Sequence, residues 1–115
     1  MHVNRVAADL KKKKGCDMVI CLSHLGYKYK PDELRVSDVV LAAETEQVDL
    51  IIGGHTHTFL EEPTLLKNKI GSDVLVNQVG FAGIILGRLD FDFSKVKKNQ
   101  LLKAHTVVVG KKPRE

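Results

Sequence analysis

Three of the five histidines in this 115-residue chain stand where imidazoles can act together. The apolar run Asp17-Met18-Val19-Ile20-Cys21-Leu22 ends in Ser23-His24-Leu25-Gly26. A second run, Val48-Asp49-Leu50-Ile51-Ile52, ends in Gly53-Gly54-His55-Thr56-His57-Thr58. Neutral imidazole is a ligand for zinc, manganese and iron. The pair Gly53-Gly54 removes side chains where backbone must turn close to an ion, and histidines two residues apart can aim at neighbouring points. A lone histidine after a strand is ordinarily a hydrogen-bonded loop residue. His24, His55 and His57 at one mouth invite a metal instead.

Gathering them requires particular elements. Val3, Val6, Ala7 and Leu10 recur at steps of three and four, so residues 3–14 read as an amphipathic helix closed by Gly15. Residues 17–22 and 48–52 read as strands covered on both faces. Between them, a polar loop over 27–33 precedes a helix over about 35–47, with Val36, Val39, Val40 and Ala43 as its inner face. A right-handed crossover joining parallel neighbours is the natural topology, and it sets both strand tips on the edge where ligands of open α/β sheets sit. Residues 63–73 read as a surface loop. The stretches 74–79, 84–93 and 101–109 read as antiparallel strands, with Leu86, Arg88, Asp90 and Asp92 alternating against Gly87, Leu89, Phe91 and Phe93. The expected fold class is therefore α/β, a parallel strand–helix–strand unit followed by antiparallel strands. Residues 1–110 form the domain and 111–115 a basic tail.

Composition narrows the function classes. With 43% hydrophobic and 28% charged residues and no Trp, the chain is that of one globular domain. No apolar run approaches the ~20 residues that span a bilayer, and Met1-His2-Val3-Asn4-Arg5 lacks a secretory apolar stretch, so no membrane association is expected and location stays open. Cys16 and Cys21 are too few for a disulfide framework. The net charge of +4 arises at the ends, since residues 15–94 carry six basic and twelve acidic side chains. Together with only 5% aromatic residues, this argues against nucleic acid as a partner. Lys11 to Lys14 read as the solvated end of a helix.

Other candidates have plainer readings. Asp32, Glu33 and Asp38 read as caps or solvated charges near a helix start. Asp90 and Asp92 read as a wet sheet face rather than an acid and base pair. Gly80, Gly83 and Gly87 lack phosphate-loop spacing and read as turns and close packing. Tyr27 and Tyr29 read as loop packing, and His2 and His105 receive no role.

The Ser-His-Leu-Gly motif, the helix after it, and the Gly-Gly-His-Thr-His-Thr motif resemble the second half of the calcineurin-like metallophosphoesterase domain of the 5′-nucleotidase family. Pro63, Asn68, Gly71, Val76-Asn77-Gln78-Val79-Gly80, and Gly83 followed by Leu86-Gly87-Arg88-Leu89 are similar to that family's later strands. The resemblance covers residues 3–93. It implies that His24 and His55 bind one metal ion and His57 a second, the two divalent ions (zinc, manganese or similar) clamping a nucleotide or other phosphate ester for in-line attack. The family's Asp-x-His, Gly-Asp and Gly-Asn-His motifs do not occur here. The resemblance therefore implies a distal half, starting midway through the catalytic domain, that holds at most one ion alone and hydrolyses nothing unaided. A complementing N-terminal half chain would be its partner, and an exposed sheet edge would favour self-association. A non-catalytic metal-binding remnant or interaction module is the alternative.

Overall fold

The computed structural model describes residues 1–94 and 100–110; the expected tail at 111–115 lies outside them. Helix α1 spans His2–Lys12, packing Ala7 into the core with Val3 and Leu10 beside it. Its end follows the sequence reading: Gly15 adopts a φ of +70°, and the Cys16 amide returns to Leu10 O at 3.0 Å. Lys11 Nζ reaches Asp49 Oδ1 at 2.9 Å, while Asp49 Oδ2 accepts from Val19 N at 2.8 Å. One half-buried carboxylate thereby ties the helix end to the starts of two strands.

Strands β1 (Ile20–Leu22), β2 (Leu50–Ile52), β3 (Thr64–Lys67) and β4 (Asp73–Asn77) form one sheet in the order β1-β2-β4-β3. β1 and β2 are parallel, as the crossover rule requires, with Leu22 opposite Ile52. β4 also runs parallel to β2, with Ile52 opposite Asn77, which corrects the antiparallel reading of residues 74–79. The surface loop expected over 63–73 is also corrected. It contains β3, which pairs antiparallel with β4 through a turn in which Asn68 Oδ1 accepts from Ile70 N and Ser72 N. The hairpin reverses the chain, so β4 returns beside β2 in β2's own direction.

Helix α2 is shorter than expected, Asp38–Glu44, with Ser37 as N-cap accepting from Val40 N at 3.2 Å. Its inner face also differs. Asp38, Leu41 and Ala42 are buried, whereas Val36, Val40 and Ala43 are exposed. The polar segment before Ser37 remains non-helical, so the apolar period starts later and the packed stripe shifts along it. The core joins Ala7, Val19, Leu41, Ala42, Val48, Ile51, Val74 and Val76.

That core covers one side of β1 only. Successive side chains alternate, so Val19 and Cys21 face inward while Ile20 and Leu22 are 49% and 79% exposed, correcting the expectation of a strand covered on both faces. The second sheet, β5 (Ile85–Asp92) with β6 (Gln100–Val108), is antiparallel as expected, with a register shift between Asp90 and Phe91. A cleft of about 360 Å³ opens between β5 and the first sheet, lined by Ile52, Gly53, Asn77, Gln78, Val79, Ile85, Leu86, Gly87 and Leu89. No described helix is long and apolar enough to cross a membrane.

Candidate metal centre

Register positions the candidate histidines. Leu22, Ile52 and Asn77 are level across three parallel strands, so the loops beginning at Ser23, Gly53 and Gln78 leave the sheet at one edge. Ser23 N donates to Ile52 O and Gly53 N to Asn77 O, both at 2.9 Å, continuing the ladder one residue beyond the strands. The His24 and His55 rings then meet with centroids 5.0 Å apart and planes inclined at 63°. The His57 ring is stacked on Phe81 at 4.9 Å and 24°, and Phe81 meets Phe59 edge-on at 5.6 Å. All three histidines are exposed.

The loop carrying His55 and His57 is held from behind. Thr56 Oγ1 accepts from Tyr27 N at 3.0 Å, which links the two histidine loops directly. Buried Gln78 accepts from Thr58 N through Oε1 at 2.6 Å and donates through Nε2 to Thr56 Oγ1 at 3.3 Å. Anchored at alternate residues, the chain places His55 and His57 at φ of +71° and +53°, a left-handed conformation that costs an L-residue with a bulky side chain about 1–2 kcal/mol. Gly54 lies so close to His24 that a Cβ there would stand 3.4 Å from its Nδ1.

The turn carrying His24 is held by Asp38. Ser23 Oγ donates to Asp38 Oδ1 at 2.5 Å and accepts from Leu25 N at 3.1 Å. Asp38 N donates to Gly26 O at 2.7 Å, and Tyr29 Oη to Leu25 O at 2.6 Å. Burial pushes the Asp38 carboxyl above the ordinary range, the Ser23 bond opposing it. Burial, with the Asp38 charge adding to it, likewise raises the Cys21 thiol.

The donor set suits one divalent ion in part. Two imidazoles sharing a tetrahedral ion at 2.0–2.1 Å from each nitrogen have ring centroids about 5 Å apart. The spacing of His24 and His55 fits that arrangement. No three His, Cys, Asp or Glu side chains gather as a metal site among the described residues, so His57 and the acidic residues do not complete it.

The plainer readings have outcomes of their own. Glu33 pairs with Arg35 at 3.9 Å, and Asp32 is exposed. Asp90 accepts from Arg88 Nε at 2.9 Å, and Asp92 accepts from Ser94 N at 2.8 Å. The tyrosines pack the loops, Tyr27 Oη lying 2.8 Å from Thr64 Oγ1. Asp38, by contrast, is neither cap nor solvated, since Ser37 caps the helix and Asp38 is fully buried. The sequence reading also gave no role to Ser23, Thr56, Gln78 or Phe81. Threonine on both sides of His57 was the available signal, because short hydroxyl side chains commonly tie loop backbone.

A parallel strand–helix–strand unit with histidine loops on its carboxyl edge, extended by a hairpin strand and an antiparallel ribbon, is part of the metallophosphoesterase fold found in 5′-nucleotidase structures. The crystal structure of a 5′-nucleotidase precursor from Thermus thermophilus matches with a TM-score of 0.73 at 32% identity, covering 92% of this chain and 22% of that one. The sequence is 33% identical to a trifunctional nucleotide phosphoesterase protein of Bacillus subtilis, across 80% of this chain and 6% of that protein. It is 30% identical to a 5′-nucleotidase of Vibrio cholerae, across 87% of this chain and 21% of that protein. No protein-family model matches. The chain is a homologue of the 5′-nucleotidases, spanning about a fifth or less of the length of these relatives.

Proposed function

We propose that the chain supplies one wall of a two-metal phosphoester hydrolase acting on nucleotides. The observation carrying this reading is the pairing of His24 with His55 at 5.0 Å on the edge shared by the parallel strands, in a chain homologous to 5′-nucleotidases. His24 and His55 hold one divalent ion, and His57, once released from Phe81, a neighbouring one. Such ions polarise a phosphoryl group and lower the pKa of bound water. The residues of this chain orient and space the imidazoles; Gly54 keeps the space beside His24 free of a side chain, while Gly53 makes room for the buried Asp38.

Two imidazoles do not saturate a divalent ion, and paired dications repel unless carboxylates lie between them. A complementing polypeptide segment therefore brings the remaining ligands and the group that protonates the leaving oxygen. The uncovered side of β1 and the tip of β2, where Ile20, Leu22 and Ile52 are exposed, is the surface on which that segment packs. The test is reconstitution with a polypeptide carrying the Asp-x-His, Gly-Asp and Gly-Asn-His motifs plus manganese or zinc. Phosphate release from a nucleoside monophosphate is expected in the complex, none from the chain alone, and none with His55→Ala. Confirmed association without release would refute the reading.

A second reading rests on the stacking of His57 on Phe81: the chain holds a single ion through His24 and His55 and is non-catalytic. Metal analysis of the purified chain separates the two, because one ion retained both alone and after complementation favours the remnant.

A further inference from the structure

We infer that Asp38 is a positioning residue for His24, holding its ring beside His55; for its role in metal binding, this rests on the two-metal reading above. Asp38 is 0% exposed, yet it belongs neither to the apolar core nor to the histidine pair. Its contacts join the roots of both loops. Through Oδ1 it accepts a hydrogen bond from the Ser23 hydroxyl at 2.5 Å, and its backbone N–H donates to Gly26 O at 2.7 Å. These two bonds fix both ends of the turn that carries His24. Ser23 Oγ, oriented by that donation, accepts from Leu25 N at 3.1 Å and closes the turn from within.

Oδ2 makes the second link. It has no hydrogen-bond partner and presses on Gly53, where a Cβ would lie only 2.0 Å away. Gly53 begins the loop carrying His55, so one carboxylate sets the distance between the bases of the two loops. Leaving a buried carboxylate oxygen unpaired is costly. A residue serving only to fill α2's buried face would be apolar, like its neighbours Leu41 and Ala42.

The test compares Asp38→Ala, Asp38→Asn and Ser23→Ala with Val48→Ala, a core truncation at the far end of β2's apolar run. Two quantities are read on the full chain: the nuclear Overhauser effect between the His24 and His55 ring protons without metal, and the affinity for Co²⁺. Asp38→Ala is expected to lose the ring–ring effect and weaken Co²⁺ binding by about 10–100-fold, the usual loss when a residue orienting a ligand is removed. Asp38→Asn keeps the acceptor for Ser23 and the size of the group, so it should retain both within about threefold, since the orienting bond survives. Val48→Ala should melt earlier yet keep both. If Asp38→Ala does not fold, Ser23→Ala breaks the same bond without emptying the buried site, and an unchanged ring–ring effect there overturns the inference. So does a folded Asp38→Ala that matches wild type in both readouts, or a Val48→Ala that loses them equally. Should wild type bind no Co²⁺, the metal reading fails, while the ring–ring effect still decides the role of Asp38.

Discussion

Asp38 shows how burial changes the meaning of a common residue. Placed in the first turn after Ser37, an aspartate ordinarily complements the helix dipole in water. Here it lies beneath two loops, its carboxyl raised above the ordinary 3.8 by burial. The folded chain therefore binds this proton more tightly than the unfolded chain. The corresponding stability is present below about pH 3.9 and is lost as the pH rises through the raised value. Asp38→Asn should flatten that fall, so the stability difference between variant and wild type grows in the variant's favour from about pH 4 upward. Urea titrations at stepped pH measure it. The difference is the proper readout because Asp92, lowered by its bonds from Ser94, titrates in the opposite sense. His55 supports a second expectation. Its left-handed backbone favours glycine, so His55→Gly should be more stable than His55→Ala by about 1 kcal/mol, although both remove the ring. Equal stabilities in chemical denaturation would show that the loop relaxes to relieve the conformation.

The elements were legible where pattern and geometry coincide. Apolar runs ending in histidine motifs gave β1 and β2, and level strand tips follow once the two pair in parallel. The convergence expected of three rings is realised by two, since those of His24 and His55 meet while His57 stacks on Phe81. Less legible was β3, a strand of four residues alternating half-buried with exposed positions inside a polar stretch, too short for a clear period. The face of α2 differs because its apolar residues allow two stripes, and the one chosen buries Leu41 and Ala42 in the core together with the contacts of Asp38 to Ser23 and Gly53. Nothing in the local pattern marks those contacts, which join residues far apart in sequence. They do carry an expectation about how elements approach one another. Gly53→Ala drives a methyl group into Asp38 and should destabilise the chain by about 1–3 kcal/mol, as overpacking does. Gly53→Ala combined with Asp38→Gly, which vacates that space, should cost less than the two changes summed, a coupling measurable in a double-mutant cycle.

At the scale of the molecule, the packing is one-sided at β1 and the tip of β2, whereas further along the same face Leu50 and Leu75 are buried. The chain has a radius of gyration of 15.2 Å, against about 13 Å for a compact domain of this length. Its shortest dimension is only 20 Å, roughly two packed layers. Helices α1 and α2 cover one side of the first sheet, while Ile20, Leu22 and Ile52 stand on the open side, Ile52 at 40% exposure. β1 is also the outer strand of its sheet, so its backbone groups on that side can pair with another chain. Apolar surface beside a free strand edge drives association, whether with a completing segment or with a second copy. Alone, the chain should therefore self-associate with rising concentration in analytical ultracentrifugation. Leu22→Lys puts a charge on that face beside the unpaired edge and should shift the population toward monomer without lowering the melting temperature, since Leu22 is already 79% exposed. If this open side is also where the completing segment packs, the same substitution weakens reconstitution while leaving the His24–His55 pair able to bind Co²⁺. Reconstitution at undiminished affinity, with Leu22→Lys monomeric, would move the completing surface away from β1 and onto the cleft beside β5.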